Sequence, residues 1–418
     1  MNRRTALQSL LKLIVLHVFV LSSFAASTAV GLFVLWLGQF IIPALSPHVA
    51  VVGAVTVRGV GLAAVFGLPM LVVVMLRRRW FCRWLCPVGL IVDSCAKARP
   101  GAKYGYRKIP PIGQWLMLAT LGGAIIGWPL FLWLDPLSIF AASLNASRWP
   151  LDAAAIGSLS VMAGIVVMSL VLPKLWCFKL CPLGGMQEML FGVKLLAARK
   201  RSETPASLSG VALARRSAIF AGLGLAGGLV VAGSDRKRNQ PQLRPPGAVD
   251  DTKFKGLCAR CGNCVKACPS GIIRQDIRLS DPAGLLTPVV YFKKGVEDPE
   301  EYDKYCLADC RACTQACPTG AIASLSLSDK LCRPIGLAEV DMSGCRLKDG
   351  IQCSICVFEI CPQDAINTNN INAFDIEIVI DSNKCNGCGA CVLICPEKVI
   401  EVLPNGRYAI APIDAGGA

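Results

Sequence analysis

Cys258-Ala-Arg-Cys261-Gly-Asn-Cys264-Val-Lys-Ala-Cys268-Pro269 is the stretch from which the rest of the chain can be read. Its gaps of two, two and three residues crowd three sulfurs where disulfide geometry is poor. Zinc would take two C-x2-C pairs rather than a triplet followed by Cys-Pro. The spacing suits a loop that grips an iron–sulfur cubane by three thiolates, with the cysteine before proline serving the other cluster of a pair. Cys385, Cys388, Cys391 and Cys395-Pro396 repeat it. Cys306, Cys310, Cys313 and Cys317-Pro318 add one residue in the first gap, and Cys345, Cys353, Cys356 and Cys361-Pro362 have gaps of seven, two and four. Each proline is followed by a similar apolar step: Gly271-Ile272, Ala321-Ile322, Ala365-Ile366 and Val399-Ile400. Four runs imply four 4Fe-4S clusters. The spacing leaves open whether the first run pairs with the second or with the fourth. Cys95 and Cys332 are left over as structural or free thiols.

The remainder of the 418-residue chain differs in kind. Hydrophobic residues make up 54% and charged ones only 17%, against about 25% charged in an ordinary soluble protein. Mean hydropathy is +0.52. The net charge of +15 is not a nucleic-acid signature once divided. Residues 1–234 carry 22 Lys and Arg against 5 Asp and Glu, and residues 235–418 carry 21 against 23. Cysteine divides the other way, 5 in the first part and 17 in the second. An apolar basic half is therefore joined to a cysteine-dense half.

Apolar runs of membrane-spanning length, about 17–25 residues, fall at roughly 13–42, 59–76, 112–134, 153–172 and 217–234. The first continues past Ala25–Ser27 and so does not read as a cleaved signal peptide. Alternate loops hold 20 basic residues against 2, Arg58 and Arg148, in the other connections. The basic loops are expected to face the cytoplasm, and five spans then put the C-terminal half outside. Arg215-Arg216-Ser217 before a weakly apolar, Gly/Ala-rich stretch resembles a twin-arginine signal. Gly222, Gly224 and Gly227 form a G-x-G-x-x-G without the strand or the later acid that a dinucleotide site needs. They read as a smooth helix face for packing. The expected division is a four-helix membrane domain over 1–200, a fifth helix within 201–234, a linker over 235–253 and a ferredoxin domain over 254–418. In fold class this is a five-helix membrane bundle with an internal repeat, plus a small α+β ferredoxin-like domain.

Within the apolar half, Cys82-Arg-Trp-Leu-Cys86-Pro87-Val-Gly89 and Cys177-Phe-Lys-Leu-Cys181-Pro182-Leu-Gly184 match at an offset of 95 residues. Cysteines at i and i+4 share a helix face, so the two pairs offer four thiolates to one more cluster. Asp93 and Glu188 also match, each eleven residues after the first Cys. Quinol oxidation releases protons beside an electron acceptor, and partly buried carboxylates can take them. Asp93 and Glu188 are the candidate catalytic acceptors. The competing reading makes them partners of the nearby arginines. The two histidines, His17 and His48, lie too far apart in the expected topology to clamp one haem.

The paired Cys-x3-Cys-Pro motifs resemble NapH-type quinol-dehydrogenase membrane subunits. The twin arginine, the four runs, Cys317-Pro-Thr-Gly-Ala-Ile322 and Ile335-Gly-Leu-Ala338 resemble NapG/MauM-type periplasmic ferredoxins. The chain looks like a fusion of the two, although residues 182–214 lack the cytoplasmic ferredoxin motifs usual in NapH-type subunits. The resemblance implies a quinol dehydrogenase component of a bacterial inner membrane. Membrane quinol would be its donor, and a periplasmic redox enzyme or cytochrome its acceptor. The lipid bilayer would be its environment, with no nucleic-acid partner. Two alternatives stand beside this: a maturation factor that reduces a metal centre of a partner enzyme, and a non-catalytic anchor.

Overall fold

A computed structural model describes residues 44–59, 62–98, 109–146, 153–199, 208–238, 242–295 and 304–349. From 351 to 404 it describes all but 352, 354, 359 and 371–375. The first part is helical: α1 (Pro47–Val57), α2 (Leu62–Leu76), α3 (Trp80–Trp84), α4 (Pro87–Ala98), α5 (Ile112–Ile126), α6 (Pro136–Asn145), α7 (Ala153–Val171), α8 (Pro182–Arg199) and α9 (Leu208–Arg238). Local chemistry sets the starts. Ser46 and Asp135 cap α1 and α6, each followed by proline at the first helical position, where a missing N–H costs nothing. Against α5 pack α9, α8 and α1. Gly224 makes the first contact possible, because a Cβ there would run into the Ala119 backbone of α5. Of the three glycines expected to form a packing face, Gly224 does so, Gly227 lies against Leu130, and a Cβ at Gly222 would meet nothing.

One of the five expected spans is met by a helix of spanning length. Among the described residues only α7 is both long and apolar enough to cross a bilayer. The run at 13–42, with His17, lies outside the described residues. The run at 59–76 yields a helix of 15 residues, about 22 Å at 1.5 Å per residue, against a hydrocarbon core of about 30 Å. The run at 112–134 is broken by Gly127, whose φ of 97° closes α5. A 3-10 turn at Leu132–Leu134 and the Asp135 cap follow. In the 31-residue α9 the apolar part is Ser217–Gly233. Apolar composition alone did not register these stops.

The cysteine-dense half begins with α10 (Asp251–Leu257) and α11 (Asn263–Ala267). It holds three two-stranded antiparallel sheets. They are β1 (Ile273–Gln275) with β2 (Pro288–Val290), β3 (Leu337–Val340) with β6 (Ile400–Leu403), and β4 (Ile366–Asn370) with β5 (Ile376–Ile380). The apolar steps after the prolines now have a role. Ile366 and Ile400 start strands, Ile272 immediately precedes β1, Ile322 bridges to Ala248, and all four are buried. Each Cys-Pro thus turns the chain out of a cysteine loop and into the core, a small α+β arrangement as expected. The segment expected as a linker over 235–253 is built into this half from 242 on. Arg244 is buried, with bonds to Asp251, Thr287 and the Pro288 carbonyl, and its guanidinium lies 4.8 Å above the Phe254 ring. Phe254 is fully buried. Phe254→Ala should cost about 3–5 kcal/mol, readable as a lower denaturation midpoint of the cluster-loaded chain.

Candidate functional site

Four groups of cysteines form in the second half, and they do not follow the runs. Cys258, Cys261 and Cys264 line one cavity with Cys317, the last cysteine of the second run. Cys306, Cys310 and Cys313 are joined electrostatically by Cys268, the last cysteine of the first. Cys345, Cys353 and Cys356 share a cavity with Cys395, and Cys385, Cys388 and Cys391 share one with Cys361. The first run therefore pairs with the second and the third with the fourth, each pair exchanging its final cysteine. The irregular third run closes as well as the others.

The donor chemistry fits cubanes. None of the 22 cysteines forms a disulfide. Burial, reinforced by neighbouring cysteines, pushes the Cys313 thiol up to about 12 and the Cys356 thiol to about 11. Sulfurs so placed need a cationic core to stay as thiolates. Among the described residues no three His, Cys, Asp or Glu close on a single metal ion; a cubane holds its four ligands apart at its corners. Backbone N–H groups point at sulfur: Arg260 to Cys258 at 3.4 Å, Ile322 to Cys317 at 3.3 Å and Ala365 to Cys361 at 3.4 Å. Such bonds stabilise the thiolate and tune the potential of a bound cluster.

The four groups also lie in sequence from the helical half outward. Asn145, at the end of α6, donates to the Cys261 carbonyl at 2.7 Å and to Asn263 at 2.9 Å. Cys264 feels Cys313 of the second group. The Cys306 N–H donates to the Cys388 carbonyl at 2.9 Å, and Cys391 lies close to Cys356. One path thus runs from Cys261 through the group of Cys306, then that of Cys388, to that of Cys353.

In the helical half the two repeats bring Cys82, Cys86, Cys177 and Cys181 together. A π-helical turn, Trp176–Leu180, carries Cys177, and such turns concentrate at functional positions. Gly89 and Gly184 let each following helix approach the carbonyl of the first cysteine, where a Cβ would sit 2.6 Å from Cys82 O and 2.5 Å from Cys177 O. Gln187 donates to Cys82 Sγ at 3.0 Å and the Gly184 N–H to Cys181 Sγ at 3.4 Å. Asp93 lies close enough to act electrostatically on Cys177. Glu188 is bound by Arg78 and Arg79, and Arg79 also donates to the Cys177 carbonyl at 3.0 Å. Burial alone would raise the Glu188 carboxyl, but the two arginines hold it below its ordinary range. Sequence reasoning missed Gln187, and it named His48 without its buried partners Ser46 and Asp135. The available signal was that Asp135 is one of only five acids in 234 residues.

Comparison with known proteins follows this division. A 4Fe-4S dicluster domain profile matches residues 257–321, and a 4Fe-4S binding domain profile matches 377–400. Another 4Fe-4S binding domain profile matches 58–103 and 154–202, the two cysteine repeats of the helical half. The methylamine utilization ferredoxin-type protein MauM of Methylophilus methylotrophus is 38% identical over 192 residues, 43% of this chain and 77% of that protein. The ferredoxin-type protein NapG of Escherichia coli is 33% identical over 174 residues, 39% of this chain and 71% of that protein. The chain belongs to the MauM/NapG family of ferredoxin-type proteins. Like other MauM/NapG proteins it is an iron–sulfur electron-transfer protein, and it holds several 4Fe-4S clusters. No solved structure matches it.

Proposed function

We propose that the chain takes electrons from a membrane quinol and passes them through its clusters to a periplasmic redox partner. In this reading α7 and its neighbours sit in the inner membrane, with the ferredoxin half outside and a fifth cluster at Cys82, Cys86, Cys177 and Cys181. Val65, Val72, Leu159, Val167, Leu223 and Val230 are exposed on α2, α7 and α9, an apolar belt of the kind that marks a membrane or partner surface. The observation that carries the reading is the single file of cysteine groups that starts at Asn145 and leads away from the helical half. Each cluster, when bound, takes up and returns one electron at a time. The protein's own part is to hold the thiolates, shield them from water and aim N–H groups at sulfur.

The test uses the full chain, cluster-loaded, in proteoliposomes without oxygen. A short-chain ubiquinol should bring up the electron paramagnetic resonance signals of reduced clusters. Clusters that answer only to dithionite would remove the quinol reading. Restored activity of an immature partner enzyme would then favour the maturation role.

A further inference from the structure

A cavity of about 170 Å³ lies between α6, α7 and the first cysteine loop, walled by Ser138, Ile139, Gly157, Val161, Arg260 and Leu286 among others. An apolar cavity of about 150 Å³ admits a single six-membered ring. Its position is unusual in three respects. It touches α7, the helix long enough to span a bilayer, and Val161 on that helix is 36% exposed, so this wall of the cavity reaches the apolar surface of α7. Its opposite wall is Arg260, which sits between the ligands Cys258 and Cys261 and donates to the Cys258 carbonyl at 2.8 Å. At its polar corner stands Ser138. The Ser138 hydroxyl is 3.5 Å from Asp135 Oδ2. Asp135 Oδ1 accepts from the Ser46 hydroxyl at 2.9 Å and lies 3.4 Å from His48 Nδ1. His48 and Asp135 are fully buried, and among the described residues neither ring nitrogen of His48 has a hydrogen-bond partner.

We propose that this cavity is the quinol site, and that Ser138, Asp135 and His48 are the path that receives the protons. The assignment rests on the quinol reading above and gives it a place. A lipid-soluble ring with hydroxyl groups matches apolar walls with one polar corner. When quinol becomes quinone, two O–H bonds break, two C=O bonds form, and two protons and two electrons leave. The first proton passes by way of Ser138 Oγ to the Asp135 carboxylate and on to His48 Nδ1, leaving imidazolium. The second stays on the restored carboxylate. Cys258, Cys261, Cys264 and Cys317 would hold the 4Fe-4S cluster that supplies the oxidising power; it accepts one electron at a time, so the first would move on to the group of Cys306, Cys310, Cys313 and Cys268 before the second arrives. Asp135 also caps α6 through the Leu137 and Ser138 N–H groups, a duty that alone explains neither His48 nor the cavity.

The test is photolabelling of the full chain in proteoliposomes with an azido-ubiquinone, mapped by mass spectrometry. Label should fall within 133–161 or 277–286 and be displaced by excess ubiquinone but not by added phospholipid. A Cβ at Gly157 meets nothing within 4 Å, so Gly157→Trp can fill the cavity without breaking a contact. It should abolish the label and slow ubiquinol-driven cluster reduction about tenfold or more, with iron content and dithionite-reduced spectra unchanged. Ser138→Ala should keep the label and slow reduction about a hundredfold, the lower end of the range of about 10²–10⁴ that positioned proton transfer contributes. Label on 82–93 or 177–188, displacement by phospholipid, or undiminished reduction in both variants would overturn the site while the quinol reading stands. Wild-type clusters that ubiquinol cannot reduce would overturn both.

Discussion

Cys317→Ala should strip the cluster from Cys258, Cys261 and Cys264, and leave the three cysteines nearest it in sequence loaded. The reason is the exchange of final cysteines: Cys317 lines the cavity of the first run, whereas Cys306, Cys310 and Cys313 are completed by Cys268. Alkylation of the native protein, read by mass spectrometry, should modify Cys258, Cys261 and Cys264 in the variant and spare Cys306, Cys310 and Cys313. Cys268→Ala should give the reverse pattern. Iron content should fall in each case by about four atoms, one cubane's worth. Modification of the cysteines in the substituted run itself would show that each run closes on its own cluster.

Chelation of iron should unfold the cysteine-dense half and leave the helical half largely helical. Among the described residues the strands of the cysteine-dense half are only 3 to 5 residues long and pair two by two. Sheets of that size do not stand alone. The interior they surround is made in large part of the cysteines themselves: Cys258, Cys264, Cys268, Cys313, Cys345, Cys356, Cys391 and Cys395 all belong to its core. Without a cluster these become buried thiols around empty space. Structural metal contributes about 10–16 kcal/mol in small zinc domains, more than a domain's usual net stability of about 5–15 kcal/mol can spare. The expected result is loss of protease resistance beyond about residue 250, with most helical circular dichroism retained. A chelated protein that keeps native protection across 258–400 would mean that apolar contacts hold this half.

The cysteine runs and the 95-residue repeat were legible because ligand spacing is local. The exchange of final cysteines was legible too, from the Cys-Pro that ends each run, but which runs exchange was not. That depends on the chain bringing Cys317 to Cys258 and Cys268 to Cys306, and no spacing within a run encodes it. The apolar runs were legible but the ends of their helices were not, because hydropathy averages over stops such as the positive φ of Gly127. Asp93 and Glu188 stood out through their symmetry, but the structure gives them unlike neighbours, Cys177 for one and two arginines for the other. His48 and Asp135 are 87 residues apart and share no motif; they meet only where the first turn of α1 reaches the cap of α6.

The junction between the halves has one more implication. Lys255 is buried there between Asp251 at 2.9 Å and Asp281 at 2.8 Å, and its ammonium sits 4.4 Å over the ring of Trp128 from the helical half. Beside it Gly256 lies against Thr56 so closely that a Cβ would collide. A carrier on a loose tether reaches its donor by diffusing, and its turnover slows as the medium thickens. A carrier seated by a buried cation and a glycine contact has no such excursion to make. Electron entry into the first cysteine group should then be indifferent to solvent viscosity, while delivery from the last group, which must meet a separate protein, should remain sensitive to it.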